Sequence, residues 1–161
     1  MRKIGFIVIA TIGIFLIEFF LFDLGGRFLK PNLLILLIVY INLTFGVRYS
    51  LLTALFAGLI KDSFSVNVFG LETFTFVLSA FMSSILRKYL FHTSLYSLRI
   101  ILAFCISFIY SMIFCVLYSM FIQMDFKEFI VFVLFPEVFL TTLVADFTFR
   151  KLRKCALKFS V

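Results

Sequence analysis

Tryptophan is absent from this chain, histidine occurs once, proline twice, and only 14% of the 161 residues are charged. Each scarcity removes a class of explanation. A single histidine, His92, leaves no imidazole pair for a zinc-hydrolase motif, and neither H-E-x-x-H, G-x-S-x-G nor a P-loop occurs. The three cysteines, Cys105, Cys115 and Cys155, form no C-x-x-C pair, and the first two stand ten residues apart on different helix faces. A disulfide framework or zinc site is therefore not expected. Soluble domains carry ~25% charged residues, so a water-facing surface is scarce as well. No Pro/Gly/Ser-rich linker or repeat divides the chain, which reads as one domain, residues 1–161.

What is present is apolar length. The chain is 64% hydrophobic with a mean hydropathy of +1.21. Ile4–Phe22, Ile100–Ile122 and Phe129–Phe149 each approach or reach the ~20 apolar residues that cross a bilayer core. Met1-Arg2-Lys3 before the first run imitates a signal peptide. That run exceeds an h-region of ~7–15 residues and no A-x-A-like cleavage site follows, so a retained helix is expected. The expected fold is all-α: a polytopic integral membrane protein with spans at 4–22, 32–47, 49–64, 71–86, 100–122 and 129–149.

The second block, Leu33–Ile60, holds the key ambiguity. Read as one helix, it strands Arg48 near the bilayer centre, at ~2.5–3.5 kcal/mol on insertion scales. Read as two, it puts Gly46 and Arg48 in a tight surface turn, which the nearby Asn42, Thr44 and Ser50 favour. The six-helix reading places eleven of the fifteen basic residues on the cytoplasmic side, with both termini, in accord with the positive-inside rule. A five-helix alternative places ten there, so the burial cost of Arg48 decides for six. The two halves are short: Asn32 to Val47 spans roughly 24 Å at 1.5 Å per residue. Such helices thin the bilayer or hide among longer neighbours. Lys61 is expected to snorkel to the outer boundary. The gap from Arg87 to Arg99 reads either as an interfacial amphipathic segment or as an ordinary basic loop.

Ionisable residues at depth are functional candidates. Glu137 follows Pro136, whose ring frees the carbonyl of Phe132 and opens a polar niche. The plainer reading has a neighbouring helix satisfy Glu137 through Thr or Asn. Glu18 reads as a boundary carboxylate. Asp146 and Arg150, four apart, form a favourable helical pair. Small residues recur at four-residue spacing in Ala54–Gly58, Ser79–Ser83, Ala80–Ser84 and Ser107–Ser111, which marks packing faces. Arg150, Lys151, Arg153 and Lys154 form a juxtamembrane cluster that attracts anionic lipid by ~1 kcal/mol per charge. The cluster is too short and too tethered to suggest nucleic acid.

The stretch Lys30 to Gly70 is more specific. It reads K-P-N-L-L-I-L-L-I-V-Y, then F-G-V-R-Y-S-L-L-T-A-L-F-A-G-L-I-K-D, then a glycine downstream. This resembles the rod shape-determining protein MreD family, whose members carry Pro-Asp-Leu, a Gly plus a basic residue at the next turn, Gly-Leu-x-x-Asp and a later Gly. The matching positions are Pro31, Asn32 and Leu33; Gly46 and Arg48; Gly58, Leu59 and Asp62; and Gly70. Asn32 stands where Asp is usual, which removes a charge. The resemblance implies a non-enzymatic, cofactor-free inner-membrane protein of the cell-elongation complex. It implies as partners an MreC-like single-span protein, the MreB filament and the RodA–transpeptidase synthases. It also implies likeness to the six-helix membrane substrate-binding subunits of energy-coupling transporters.

Three functions are weighed on these residues. A scaffold would dock its partner at Pro31, Asn32, Ala54, Gly58, Asp62, Gly70 and Glu72. A small-molecule transport subunit would line a cavity with Glu18, Asn42 and Glu137. A membrane enzyme acting on lipid phosphates would need acid or histidine clusters, and ranks last.

Overall fold

The computed structural model describes residues 2–25, 31–65, 69–90, 96–121 and 135–160, with side chains at 4–21, 31–65, 69–89, 99–121 and 136–152. It is all-helical. The described helices are α1 (Arg2–Gly25), α2 (Leu33–Phe45), α3 (Val47–Phe64), α4 (Leu71–Leu90), α5 (Tyr96–Phe121) and α6 (Phe135–Ser160). Residues 4–21 of α1 and 99–121 of α5 are long and apolar enough to cross a membrane by length and composition. His92, Phe132, the Arg87–Arg99 gap beyond its helical ends, and the side chains of Arg153, Lys154 and Cys155 lie outside what is described.

The long apolar block is broken at one residue. Gly46 adopts φ +92°, closes α2 by donating its N–H to the Ile41 carbonyl (3.2 Å), and opens α3 by accepting from the Ser50 N–H (3.2 Å). A side chain at that φ is strained, so glycine is what lets α2 fold straight back as α3. Arg48 then falls in the first turn of α3, exposed. Gly70, at φ +96°, makes the corresponding entry to α4 and accepts from the Phe74 N–H at 2.9 Å.

The five other helices surround α2. It packs against each of them, and they in turn form a ring in the order α1, α3, α4, α5, α6, closing on α1. Every residue from Leu33 to Asn42 is buried, which explains why this stretch has no polar face; α2 reaches the surface only in its last turn, at Thr44. At 13 residues α2 is ~20 Å long, short of a ~30 Å bilayer core. The ring helices turn large apolar side chains outward, among them Ile9, Phe20, Phe56, Phe81, Phe104 and Phe139. Their inward faces mix large side chains, such as Phe76, Leu102 and Ile106, with small ones. Ala54, Ala57, Ala80, Ala103 and Ala145 are fully buried, so the helices approach closely. The tightest approach is Gly58 of α3, where an added Cβ would sit 2.8 Å from Thr73 Oγ1 and closer still to the α4 backbone.

Candidate functional site

One end of the bundle gathers the acids. Glu18 on α1 reaches the open N-terminus of α2, where its Oε2 accepts from the Leu33 N–H (3.1 Å) and the Leu34 N–H (3.2 Å). Asn32 caps the same turn from its own chain, Oδ1 accepting from the Ile35 N–H at 3.3 Å. First-turn N–H groups have no partner inside a helix and carry partial positive charge, so a carboxylate from another helix serves them well. The device recurs one hairpin later. Asp62, near the end of α3, accepts from the Glu72 N–H (3.1 Å), the Thr73 N–H (3.0 Å) and the Thr73 hydroxyl (2.5 Å) at the start of α4.

Lys61, beside Asp62 on α3, points the other way. Its ammonium lies 3.5 Å from Glu18 and 3.5 Å from Glu72, with side-chain exposure of 13%, 8% and 7% for the three. The expectation that Lys61 snorkels outward is corrected: two buried carboxylates draw it inward. Tyr110 on α5 completes the group, donating its hydroxyl to Glu72 Oε2 (2.5 Å) while accepting from Lys61 Nζ (3.4 Å). The ammonium also lies 5.1 Å from the centroid of Phe76 and 5.7 Å from that of Tyr110, rings stacked on each other at 5.1 Å. This is a cation–π arrangement in a desolvated place.

Glu137 joins through Asn32. Pro136 and Glu137 stand at the start of the described part of α6. Asn32 Nδ2 donates to Glu137 Oε1 at 3.2 Å, and the Asn32 N–H donates to Thr141 Oγ1 at 3.0 Å. The neighbour that satisfies Glu137 is thus an asparagine. The departure at Asn32 has a physical meaning, because an aspartate there has no proton to donate to Glu137 when both are ionised. Taken together, Lys61, Glu18, Glu72, Tyr110, Asn32 and Glu137 connect all six helices through side-chain contacts.

The opposite end is basic. Arg48, Arg87, Lys88, Arg99, Arg150 and Lys151 lie there, and Asp146 is the one described acid among them. The contact that reaches inward is Arg87 on α4, whose guanidinium donates to the Asn42 carbonyl in the last turn of α2. Asn42 Nδ2 also donates to Ser83 Oγ at 2.8 Å. The central helix is therefore met by an anion at its positive end and a cation at its negative end, both from other helices. Arg150 pairs with Asp146 at 2.7 Å on the surface, as the spacing suggested, and Lys151 sits 4.8 Å above the Phe147 ring.

Of the residues singled out in the sequence, Glu18, Asn32, Asp62, Glu72 and Glu137 meet at the acidic end. Pro31 is buried beside them, and Ala54 and Gly58 face the bundle interior. Arg150 and Lys151 are exposed at the basic end. Tyr110, Lys61 and Arg87 were not foreseen in these roles. A tyrosine amid an apolar run carries no local signal, and every contact joins two different helices. Among the described residues no group of three or more His, Cys, Asp or Glu is placed to hold a metal ion.

No curated protein and no solved structure matches the chain. One family model does, that of the rod shape-determining protein MreD, over residues 1–151. The match runs through the Gly46 turn, the Gly58 approach and the Asp62 cap, and leaves out only the end of the basic tail. This chain belongs to the MreD family of membrane proteins, whose role is in rod-shape determination.

Proposed function

We propose that this protein is a non-enzymatic scaffold of the bacterial inner membrane. It crosses six times, keeps both termini in the cytoplasm and binds an MreC-like single-span partner. Through that partner it helps couple MreB filaments to RodA–transpeptidase peptidoglycan synthesis. One observation carries the reading: the described acids at the outer end, Glu18, Asp62, Glu72 and Glu137, are committed to the chain's own helices. Glu18 and Asp62 close helix N-termini, Glu72 holds Lys61 and Tyr110, and Glu137 accepts from Asn32. Groups used in this way fix helix positions, which is what a docking platform needs and an acid–base catalyst does not.

The docking region is the α3 side of the bundle. Ala54, Gly58 and Asp62 set α3 against α4 from within, while Pro31, Asn32, Gly70 and Glu72 shape the adjoining end. The partner helix itself lies on the outward face of α3, where Leu52, Leu55, Phe56 and Leu59 are exposed. At the cytoplasmic end Arg150 and Lys151, with Arg153 and Lys154 of the tail, contact anionic lipid.

The test is co-purification with the cognate MreC-like protein. Phe56→Ala combined with Leu59→Ala should lower recovery of the pair while the variant still folds. Full recovery would remove the α3 face from the proposal. Impermeant labelling of single cysteines placed beside each terminus checks the topology, and reaction from outside at either end would overturn it.

A further inference from the structure

Most described Ser and Thr hydroxyls in these helices bond back to their own helix, Ser50, Thr73 and Ser83 meet other helices, and three meet no partner. Thr11, Thr44, Thr53, Ser63, Thr75, Ser84, Thr141, Thr142 and Thr148 each donate to the carbonyl four residues earlier, at 2.6–3.0 Å. That is the usual resort of a Ser or Thr with no better partner. Ser79 on α4 and Ser107 and Ser111 on α5 do not take it. All three are buried, and their Oγ atoms meet no hydrogen-bond partner in the protein. Buried polar groups are normally satisfied, so three neighbouring exceptions on two packed helices need a reason.

Ser79 and Ser107 agree in height, and Ser111 stands about 6 Å, one helical turn, from Ser107. Phe76 of α4 stacks on Tyr110 of α5. Because α4 and α5 run antiparallel, Ser79 and Ser107 each lie three residues from that stack in the same direction, and Ser111 lies one residue to its other side. The adjoining residues on these buried faces, Ala80 and Ala103, are small. The level of Ser79 and Ser107 falls between the Glu72–Tyr110–Lys61 group at the acidic end and the Ser83–Asn42 contact toward the basic end, and Ser111 borders the acidic group. On α4 itself the inward stripe Glu72, Thr75, Ser79, Ser83, Arg87 repeats at helical spacing, and the unpaired hydroxyl is its middle member.

The geometry points to a water-binding site at the α4–α5 seam, formed by Ser79, Ser107 and Ser111, that makes the polar stripe continuous between the two charged ends of the bundle. Water suits the donor set: each hydroxyl both donates and accepts, and a buried water needs two to four polar partners. Hydroxyls turned away from their own carbonyls are oriented for such a guest.

Radiolytic hydroxyl-radical labelling of the full chain in detergent micelles tests this, read residue by residue by mass spectrometry. Radicals formed from bound water mark the side chains beside it, so Phe76 and Tyr110 should be labelled although both are buried. In Ser79→Ala/Ser107→Ala/Ser111→Ala that labelling should be lost, exposed Tyr89 should keep its own, and the thermal midpoint should fall. Should the triple variant not fold, Ser107→Ala alone is read in the same way. Absence of label in the parent, or its persistence in the variant, overturns the site. So does a rise in the midpoint, the result expected when hydroxyls that hold nothing are removed.

Discussion

At one end of the bundle the charges face inward and touch; at the other they lie along the rim. The acidic end buries Lys61 between Glu18 and Glu72, and spends Glu18 and Asp62 on helix N-termini. The basic end leaves Arg48, Lys88, Arg150 and Lys151 exposed, and among the described residues Arg87 is the one that reaches the core. The same kind of residue thus does different physical work. A buried charge is costly unless its partners are in place, so it dictates how helices meet. A charge at a helix end that reaches water costs little, so it reports which side of the membrane it prefers.

Four substitutions test how deep that difference runs. Lys61→Met should be the most damaging. It strands Glu18 and Glu72 without their shared cation, at about 3–5 kcal/mol, and the measurement is reversible unfolding in mixed micelles. Partial recovery on adding Glu72→Gln would show that the loss comes from uncompensated charge rather than shape. Gly58→Ala comes next. Its Cβ meets Thr73, and the α3–α4 contact must open at a cost of about 1–3 kcal/mol. Arg87→Met removes the cation at the α2 C-terminus and should cost about 1 kcal/mol. If it proves as damaging as Lys61→Met, the contrast between the ends fails. Arg150→Ala breaks a pair exposed at 69% and 36%. It should shift stability by less than about 0.5 kcal/mol, while weakening retention on anionic vesicles.

The sequence made some of this readable and hid the rest for a physical reason. The break at Gly46 was legible because a glycine beside Arg48 in a 28-residue apolar block answers two local demands at once, a positive φ and an arginine kept out of lipid. The Asp146–Arg150 pair was legible from spacing within one helix. Helix ends were less so. α4 was expected to stop at residue 86 and runs to Leu90, because Arg87 and Lys88 end the apolar run without ending the helix. α6, expected from 129, is described from Phe135 and continues to Ser160 through the basic tail for the same reason. The Lys61 network was not legible. Residues 18, 61, 72, 110 and 137 are brought together by helix packing alone, and each taken singly has an ordinary explanation: a boundary acid, a snorkelling lysine, a tyrosine in an apolar run.

The enclosure of α2 constrains how the molecule is made. A helix of ~20 Å released alone into a bilayer core of ~30 Å would leave its ends poorly matched, and its first N–H groups depend on Glu18, fifteen residues upstream of Leu33. Without α1 those groups are left unsatisfied, and Gly46 ties α2 to α3 as one hairpin. α4, α5 and α6 complete an enclosure in which every residue from Leu33 to Asn42 is buried. The most apolar helix of the molecule thus depends for its place on every other one.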